Sequence, residues 1–578
     1  MQRAMAITTG AVGLTGAVLL STLFACSGGP SAPEPEPEPA PQAEPQPAPP
    51  PAADERPNVL IIVWDTVRAD RMSLYGHHRK TTPQLDAWAA EATVYEQATA
   101  PGMWTLPTHA TMFTGLRGTT HGAKASWRWL DHRFETLAET LSGSGYETVA
   151  MSSNLIASPM TNLTQGFETV LTTFPRDGAR GGRLVGPAKA ATQAKLIATD
   201  ASTEISPAFA GNDGEKWGKA VHKDAAPVLH DTLGKFIDAK GGEGPWFAYL
   251  NMMEAHTPRI PSMSARKRLL SPELVERGLT TDASLFAENE YIIGQRDYTP
   301  EQLEAIAGVY DAAILDLDDA TGALIADLRQ RGILDDTLVI LVADHGEALG
   351  EHRMFEHRWS VFEQLLHVPL VVRFPDRFEG RRVADRVSTA DVYATVLDVT
   401  GVDPPQAPTE STSLAGRTSF EPFVFVQMLD PFASQLAGMR EAYPELDLSP
   451  WMRTYCAVYE GSKKLIYASD GAHSLFDVHG DPAEANDLFA SEVATAERLQ
   501  EALKGWEDKL GTYDPSGRSA RDGAKGQKGK GRKAKGAPAG VSAEECEQLK
   551  MLGYAEGDCS ALEAASELSR DRCGPGAE

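Results

Sequence analysis

Three side chains suited to holding a cation, and one hydroxyl suited to nucleophilic attack, occur in separate parts of the sequence. Asp65 and Asp344 supply carboxylates, His345 supplies an imidazole, and Thr105 supplies the hydroxyl. Carboxylates and imidazoles are common ligands of divalent cations, and a cation beside a hydroxyl makes that hydroxyl a better nucleophile. The residue types therefore predict a metal-assisted attack, with all four residues around the metal.

Short apolar runs precede the two aspartates and indicate how they could meet. Residues 59–64 and 338–343 have the length and composition of buried strands, and Asp65 and Asp344 follow them directly. The carboxyl ends of parallel strands converge on the ligand crevice of an open α/β sheet, so we expect the two acids to lie together. The alternative is that each aspartate only caps the helix that follows it.

Thr105 precedes a predicted helix that includes Pro107 in its first turn, where proline is tolerated. The backbone N–H groups at a helix N-terminus favour a bound anion, so an oxygen of a sulfate or phosphate would be stabilised beside Thr105. The alternative for Thr105 is a helix cap beside an inactive site.

Three motifs in this order resemble the sulfatase family of the alkaline phosphatase superfamily. The family signature is Cys or Ser, any residue, Pro, Ser, Arg, four residues, then Thr-Gly, and its positions here run from Thr105 to His109 and end in Thr114 and Gly115. The resemblance extends from about residue 57 to about residue 510. It implies an α/β fold with a mostly parallel central sheet flanked by helices, a smaller C-terminal antiparallel α+β subdomain, and a hydrolase of sulfuric esters.

Two departures from the family pattern change the expected cofactor. Sulfatases generally hold calcium with three Asp and one Asn, whereas here Trp64 replaces the first Asp and His345 replaces the Asn. The resemblance implies one divalent metal ion, calcium by family default, while the imidazole favours manganese or zinc. The family also oxidises Cys or Ser to formylglycine; the extra methyl group of Thr105 would leave a ketone, so formylglycine is not expected.

Direct attack by Thr105 leaves three functions open. The first is a sulfatase-family hydrolase that cleaves an anionic ester on a glycan or lipid. Because phosphothreonine suits direct attack better than sulfothreonine, a phosphodiesterase, a phosphonate monoester hydrolase or a phosphoryl transferase is the second. The third is an inactive envelope lipoprotein that binds sulfated or phosphorylated glycans.

Three further histidines align with family positions that face the substrate. The resemblance makes His256 a candidate proton donor to the leaving group, and places His357 where sulfatases carry Lys or His against the anion. His109 stands in place of the signature Arg and could donate to a substrate oxygen, although an imidazole lacks the bidentate fork of a guanidinium. A hydrogen-bonded structural role is the alternative for each.

The first residues predict export and a lipid anchor. Residues 1–25 combine a lone Arg3 with a weakly polar run to Phe24, and with Cys26 they are typical of a lipoprotein signal peptide. Cys26 would then carry the lipid that holds the protein to a membrane of the bacterial cell envelope, in the periplasm or at the outer membrane. An uncleaved N-terminal anchor is the alternative. Residues 26–56, rich in Pro, Ala and Glu, predict an extended linker.

Composition narrows the partners further. The formal net charge of −26 argues against nucleic acid. The basic low-complexity residues 515–540 predict a solvated linker, with binding to anionic envelope polymers as the alternative. Beyond Cys26 the chain has an even number of cysteines, for which disulfides are expected in any of three pairings and no catalytic role is predicted: Cys456, Cys546, Cys559 and Cys573.

The order of predicted elements divides the rest of the chain. Strands alternate with helices in residues 57–410, which predicts the catalytic domain with helices on both faces of its sheet. Residues 411–514 instead show four short strands with turn residues between them and a closing helix, as expected for the C-terminal subdomain. Residues 541–578 form a cysteine-containing tail.

Overall fold

The computed structural model describes residues 56–125, 128–173, 225–375, 377–405, 409–432, 439–440, 442–514 and 572–575. The predicted signal peptide, the two predicted linkers apart from residue 56, and the predicted tail apart from residues 572–575 lie outside the described residues. Within the described ranges, no helix has both the length and the apolar character needed to cross a membrane.

Fifteen strands occur in the described ranges: β1 Asn58–Trp64, β2 Thr93–Thr99, β3 Glu147–Ser152, β4 Thr169–Thr172, β5 Trp246–Met252, β6 Thr337–Val342, β7 Ala348–Leu349, β8 Phe355–Glu356, β9 His367–Val368, β10 Leu370–Arg373, β11 Arg381–Ser388, β12 Phe423–Met428, β13 Tyr455–Glu460, β14 Lys463–Ala468 and β15 Ser474–Asp477. The α-helices there are α1 Pro83–Trp88, α2 Thr105–Thr114, α3 Gly118–His121, α4 Leu137–Gly143, α5 Ala226–Lys240, α6 Met263–Leu269, α7 Pro272–Thr280, α8 Leu285–Ile292, α9 Pro300–Gln330, α10 Glu363–Leu366, α11 Val392–Thr400 and α12 Val493–Glu507.

The central sheet has the strand order β11-β2-β10-β6-β1-β5-β3-β4, and β9 pairs with β2. Five consecutive strands of this sheet run parallel to one another: β6, β1, β5, β3 and β4. Strand β10 runs antiparallel to both β2 and β6. The sheet is therefore mostly parallel, and the carboxyl ends of β6, β1, β5 and β3 lie next to one another.

Complete burial explains why the strands beside the site are apolar throughout. The side chains of β1 from Val59 onward and all those of β6 are buried, which is typical of parallel strands covered on both faces. The long helix α9 packs over this part of the sheet. Thr321 of this helix accepts a hydrogen bond from Nε1 of Trp64 at 3.1 Å, so the buried indole is satisfied.

The C-terminal subdomain is a four-stranded antiparallel sheet in the order β12-β13-β14-β15, with α12 against it. Lys464 on β14 is fully buried, and its Nζ contacts Glu484 at 2.8 Å and Glu363 at 3.2 Å. Because Glu363 begins α10 of the catalytic domain, this ion pair joins the two parts of the chain. A disulfide between Cys456 and Cys573 attaches residues 572–575 to β13; Cys546 and Cys559 lie outside the described residues.

The predicted fold class is confirmed, and the differences are local. The strands β2, β10 and β11 and the three helices between residues 263 and 292 were not predicted from the sequence. Strand β10 has only four residues, all buried, and its apolar run cannot reveal an antiparallel direction. Polar residues dominate β11, with the burial pattern of an edge strand.

Candidate active site

Four neighbouring parallel strands end in polar side chains at the same edge of the sheet. Asp65 directly follows β1, and Asp344 lies two residues beyond β6. Asn251 is the second-last residue of β5, and Asn154 lies two residues beyond β3. All four side chains are fully buried. The structure thus brings together the two acids that the sequence places 279 positions apart, counted from residue 65 to residue 344.

Thr105 is the first residue of α2 and lies against these strand ends. Its Oγ1 is 3.4 Å from Nε2 of His345 and accepts a hydrogen bond from Nδ2 of Asn154 at 3.3 Å. The same Asn154 amide donates to Oδ2 of Asp65 at 2.7 Å, so it links the hydroxyl to the carboxylate. The hydroxyl therefore faces the polar cluster and not the apolar interior.

The carboxylates of Asp65 and Asp344 and the ring of His345 offer ligand atoms that lie within 4.8 Å of one another. Oδ1 of Asp65 is buried and accepts no hydrogen bond from any described residue, whereas Oδ2 of Asp344 lies 3.2 Å from Nε2 of His345 and 3.5 Å from Nδ1 of His109. Buried carboxylate oxygens without partners cost free energy, which a bound divalent cation would offset. These three residues and the Thr105 hydroxyl therefore suit a divalent metal ion.

The ionisation of the cluster shows the same need for positive charge. Burial, reinforced by the negative charge of Asp344, raises the pKa of Asp65 to about 7. Although burial favours the neutral form of Asp344, the adjacent His345 holds the pKa of Asp344 well below its ordinary range. Burial also opposes the charged form of His345, but Asp344 outweighs it and raises the pKa of His345 to about 9. The negative charges of Asp65 and Asp344 thus share the single positive charge of protonated His345.

Backbone contacts fix the ring of His345. Its Nδ1 donates to the carbonyl of Gly346 at 3.0 Å, which leaves Nε2 toward Asp344 and Thr105, with Oδ2 of Asp344 at 3.2 Å. Such a bond on the distal nitrogen is typical of metal-binding histidines. Gly346 is required here because a Cβ atom would lie 2.0 Å from the carbonyl oxygen of Gln364.

His109 lies one turn after Thr105 on α2, and its Nδ1 donates to the Thr105 carbonyl at 2.9 Å. The same nitrogen is 3.5 Å from Oδ2 of Asp344. The ring also makes edge contacts with Phe113 and Tyr249. Burial lowers the pKa of His109, so it is a neutral ring that adjoins the candidate metal ligands.

His256 and His357 form the other side of the cluster. The ring of His357 lies 4.3 Å from that of His345 and 5.1 Å from that of His256, measured between centroids. Nδ1 of His256 donates to the Thr257 carbonyl at 2.6 Å. Burial and the nearby charge of His345 hold the pKa of His357 well below its ordinary value. All four predicted histidines therefore lie in one buried group.

A buried glutamate orients His357. Oε1 of Glu347 accepts a hydrogen bond from Nδ1 of His357 at 3.0 Å, and its Oε2 is 3.2 Å from Nη2 of Arg259. Arg259 in turn bonds Glu288 at 2.9 Å. These four side chains, which contact one another in the order Glu288, Arg259, Glu347 and His357, are almost completely buried. Their contacts hold the imidazole of His357 in one orientation.

Sequence reasoning missed Asn154, Asn251 and Glu347. The two asparagines obey the same rule that located Asp65, since each ends a predicted strand at the ligand edge of the sheet. Extending that rule from charged to amide side chains would have found them. The contact of Glu347 with His357 depends on the conformation of the loop between β6 and β8, for which the sequence carries no signal.

The fold is an α/β enzyme scaffold whose strand ends hold a candidate metal site, and comparison with known proteins assigns its family. The sequence profile of the sulfatase family matches residues 57–402, and the chain belongs to that family. A second profile, described as N-sulphoglucosamine sulphohydrolase, C-terminal, matches residues 350–509.

Individual relatives agree over different lengths. Arylsulfatase K of Bos taurus is 30% identical over 221 residues, which are 36% of this chain and 37% of the relative. The chain thus spans little more than a third of that relative's length. An N-acetylglucosamine-6-O-sulfatase of Bacteroides thetaiotaomicron is 23% identical over 509 residues, covering 78% of this chain and 87% of the relative.

Solved structures share the fold. The phosphonate monoester hydrolase of Agrobacterium radiobacter superimposes with a TM-score of 0.58 at 22% identity, covering 78% of this chain and 95% of that chain. A structure described as a complex with its substrate D-glucosamine-2-N,6-O-disulfate gives a TM-score of 0.56 at 18% identity, covering 78% and 99%. At these identities the likeness establishes the fold alone.

Proposed function

We propose that this protein is a metal-dependent hydrolase of anionic esters in which Thr105 is the nucleophile. The observation that carries the proposal is the position of the Thr105 hydroxyl, 3.4 Å from His345 and 3.3 Å from Asn154, beside the carboxylates of Asp344 and Asp65, of which Asp65 has a buried oxygen that accepts no hydrogen bond from a described residue. A binding protein has no need of a hydroxyl held in this way, which argues against the inactive glycan-binding alternative.

Asp65, Asp344, His345 and Thr105 would hold the cation. When bound there, a divalent ion supplies positive charge that lowers the pKa of the Thr105 hydroxyl and stabilises charge on the substrate. Asn154 holds the Asp65 carboxylate and the Thr105 hydroxyl next to each other, because its amide donates a hydrogen bond to each. The imidazole ligand favours manganese or zinc over calcium, and a formylglycine is not part of the proposal.

The reaction has two displacement steps. The Thr105 hydroxyl loses its proton to solvent, its oxygen bonds the phosphorus or sulfur atom, and the bond to the leaving alcohol oxygen breaks as doubly protonated His256 gives that oxygen its Nε2 proton. Water then cleaves the threonine ester: its oxygen stays on the released phosphate, phosphonate or sulfate product, one proton returns to Thr105, and His256 regains a proton from solvent. Nδ1 of His357 and of His109 is already engaged, so each donates to the anion from Nε2 once that nitrogen is protonated, and the N-terminus of α2 adds its partial positive charge.

Thr105 favours a phosphate or phosphonate ester over a sulfate ester. A threonine cannot become formylglycine, and a phosphothreonine is released by water more readily than a sulfated threonine would be in the absence of the aldehyde route. The relative described as an N-acetylglucosamine-6-O-sulfatase supports a sugar as the alcohol part of the substrate. An anionic ester on a glycan is therefore the substrate class that we propose.

A panel of chromogenic esters tests the proposal. Purified protein is freed of metal, reloaded with manganese, zinc or calcium, and assayed with 4-nitrophenyl sulfate, bis(4-nitrophenyl) phosphate and 4-nitrophenyl phenylphosphonate. We expect activity only after reloading, highest with manganese or zinc and with a phosphorus ester, and its loss in Thr105→Ala. The matched control is Thr232→Ala, since that buried helical hydroxyl only donates to the Val228 carbonyl. Full activity in Thr105→Ala would refute the nucleophile.

We also propose that the protein is exported and anchored through a lipid on Cys26, which rests on residues 1–26 of the sequence alone. Metabolic labelling with a radioactive fatty acid should mark the protein expressed from the wild-type sequence and not a Cys26→Ala variant. Equal labelling of the two chains would reject the anchor.

A further inference from the structure

A cavity of about 470 Å³ lies between the catalytic domain and the C-terminal subdomain. Residues of β11, β12 and α12 form its walls, and Arg117 enters it from the segment that follows α2. Thr105 begins α2 and Arg117 lies beyond its other end, about 15 Å along a ten-residue helix. The cavity, called the Arg117 cavity below, is therefore separate from the candidate active site.

Arg117 is a buried cation with little compensation. The residue is only 9% exposed. Its Nε donates to no described residue, and its Nη1 makes one long hydrogen bond, of 3.3 Å, to Oγ of Ser388. No ion pair joins it to a described carboxylate. Burial lowers the pKa of Arg117, and the more distant Asp391 and Glu410 only partly oppose that effect.

The other charged residues of the cavity leave positive charge in excess. Arg386, Arg417 and Lys509 also line it. Of the three acidic lining residues, Asp391 accepts from the Thr412 backbone and contacts Arg417 at 3.3 Å, and Glu421 lies 4.0 Å from Arg417. Glu410 accepts from the Arg117 backbone and the Thr120 hydroxyl. These carboxylates are engaged by other donors, so the guanidinium of Arg117 remains available to an external anion.

An aromatic wall stands beside the guanidinium. Phe425 and Trp506 stack with centroids 4.4 Å apart and an interplanar angle of 5°, and Cζ of Arg117 lies 5.9 Å from the Trp506 ring centroid. Rigid aromatic faces next to a cation and a volume in the range of small-molecule sites suit a ligand with an apolar ring face and an anionic group. A sugar bearing an oxyanion has both features.

We propose that the Arg117 cavity binds an anionic sugar unit, with Arg117 as the main contact of its sulfate, phosphate or carboxylate group. Lys509 adds charge at the exposed side of the cavity. The proposal does not depend on the proposed catalytic function, because binding here requires neither Thr105 nor a metal.

Calorimetry on full-length protein carrying Thr105→Ala, with a chelator present, tests the proposal apart from catalysis. Glucosamine 6-sulfate and inorganic sulfate are titrated separately, which distinguishes a sugar-borne anion from a free one. We expect binding of glucosamine 6-sulfate, weakened about tenfold or more by Arg117→Gln, as the loss of a charge-assisted contact implies. The matched control is Arg498→Gln on α12, because that exposed arginine bonds Glu460 and does not line the cavity.

A second pair of variants covers the case in which Arg117→Gln fails to fold. Lys509→Glu reverses a charge at an exposed lining residue just beyond α12 and should weaken binding several-fold, whereas Lys504→Glu, on α12 and outside the cavity, should not. Unchanged affinity in folded Arg117→Gln and in Lys509→Glu would overturn the site. Equal losses in the control variants, or binding of inorganic sulfate alone, would overturn the assignment to an anionic sugar.

Discussion

At the scale of single residues, the chemistry depends on how fully Thr105 and its neighbours are constrained. Asn154 and His345 hold the hydroxyl from two sides, and the first turn of α2 fixes the backbone. A nucleophile held close to its reacting position loses little conformational entropy in the transition state. Replacing Thr105 should therefore affect turnover far more than stability.

Glu347 is a positioning residue for His357, and its removal should slow turnover. We expect Glu347→Ala to lower kcat about 10- to 100-fold, as is typical when a partner that orients a site histidine is lost. Glu347→Gln should retain more activity, because its amide oxygen can still accept from Nδ1 of His357. Steady-state kinetics on the best ester of the panel give kcat and KM separately, and thermal unfolding reports on the fold.

The control for this prediction is Glu351→Gln, a glutamate of the same loop that bonds Arg68 and is partly exposed. A purely structural role for Glu347 would lower the unfolding temperature and leave the kcat of the folded fraction unchanged. Equal activity of Glu347→Ala and wild type would contradict the role assigned to Glu347.

The residues of the site were predictable to different degrees. Asp65, Asp344 and Thr105 follow from one rule about strand ends and one about helix starts, both of which act over a few residues. The prediction that His256 and His357 belong to the site came from the family resemblance and not from any periodicity in the sequence. Glu347 and Arg259 were not predictable, because their contact joins two loops that no sequence pattern pairs.

At the scale of elements, α9 carries a buried acid that makes stability depend on pH. Asp318 accepts hydrogen bonds from the backbone N–H groups of Gln84 and Leu85 at the start of α1. Burial raises the pKa of Asp318 from 3.8 to about 7. The folded state thus binds this proton more tightly than the unfolded state, so the stabilisation is complete below pH 4 and is lost as the pH rises through about 7.

Replacing Asp318 with Asn should remove this dependence. We expect the difference in unfolding free energy between wild type and Asp318→Asn to fall between pH 4 and pH 8, by on the order of 2–4 kcal/mol. Urea unfolding at several pH values measures it. Asp319→Asn, one position along the same helix and partly exposed, is the control. A constant difference across this range would show that Asp318 is not protonated in the folded protein.

Elements were predicted well where burial gives a clear pattern. The strands β1 and β6 were located from uninterrupted apolar runs, and both are completely or almost completely buried. Strand β2 mixes buried and half-buried positions, and β11 is largely exposed, so neither produces a continuous apolar run. Their places in the sheet are set by tertiary pairing with β10 and with each other.

At the scale of the whole molecule, the disulfide between Cys456 and Cys573 attaches the C-terminal tail to the C-terminal subdomain over a sequence separation of 117. The carboxylate of Glu507 accepts hydrogen bonds from the backbone N–H groups of Cys573 and Gly574 at the same place. Residues 572–575 are therefore held by covalent and polar contacts together.

Breaking this disulfide should destabilise the protein. Cys456→Ala combined with Cys573→Ala is expected to lower the unfolding free energy by about 2–4 kcal/mol, chiefly because the unfolded chain gains conformational freedom. Chemical denaturation under oxidising conditions measures the loss, and esterase activity at 25 °C should stay near the wild-type value because the bond lies in the other subdomain. An unchanged denaturation midpoint would contradict this account of the tail.

The whole-molecule organisation was readable from composition and element order, which predicted the catalytic domain and the antiparallel subdomain. The pairing of the cysteines could not be predicted, because the sequence leaves three pairings equivalent. Only tertiary proximity selects Cys456 and Cys573. The Arg117 cavity was equally hidden, since its residues come from four separate segments.

Accurate-mass analysis of protein quenched with acid during turnover shows whether Thr105 carries the transferred group. We expect a phosphoryl, phosphonyl or sulfuryl group, according to the ester used, on the peptide that contains Thr105, formed with the metal-loaded protein and absent from Thr105→Ala. Efficient turnover with Thr105 unmodified at every quench time, and the same rate in Thr105→Ala, would contradict it.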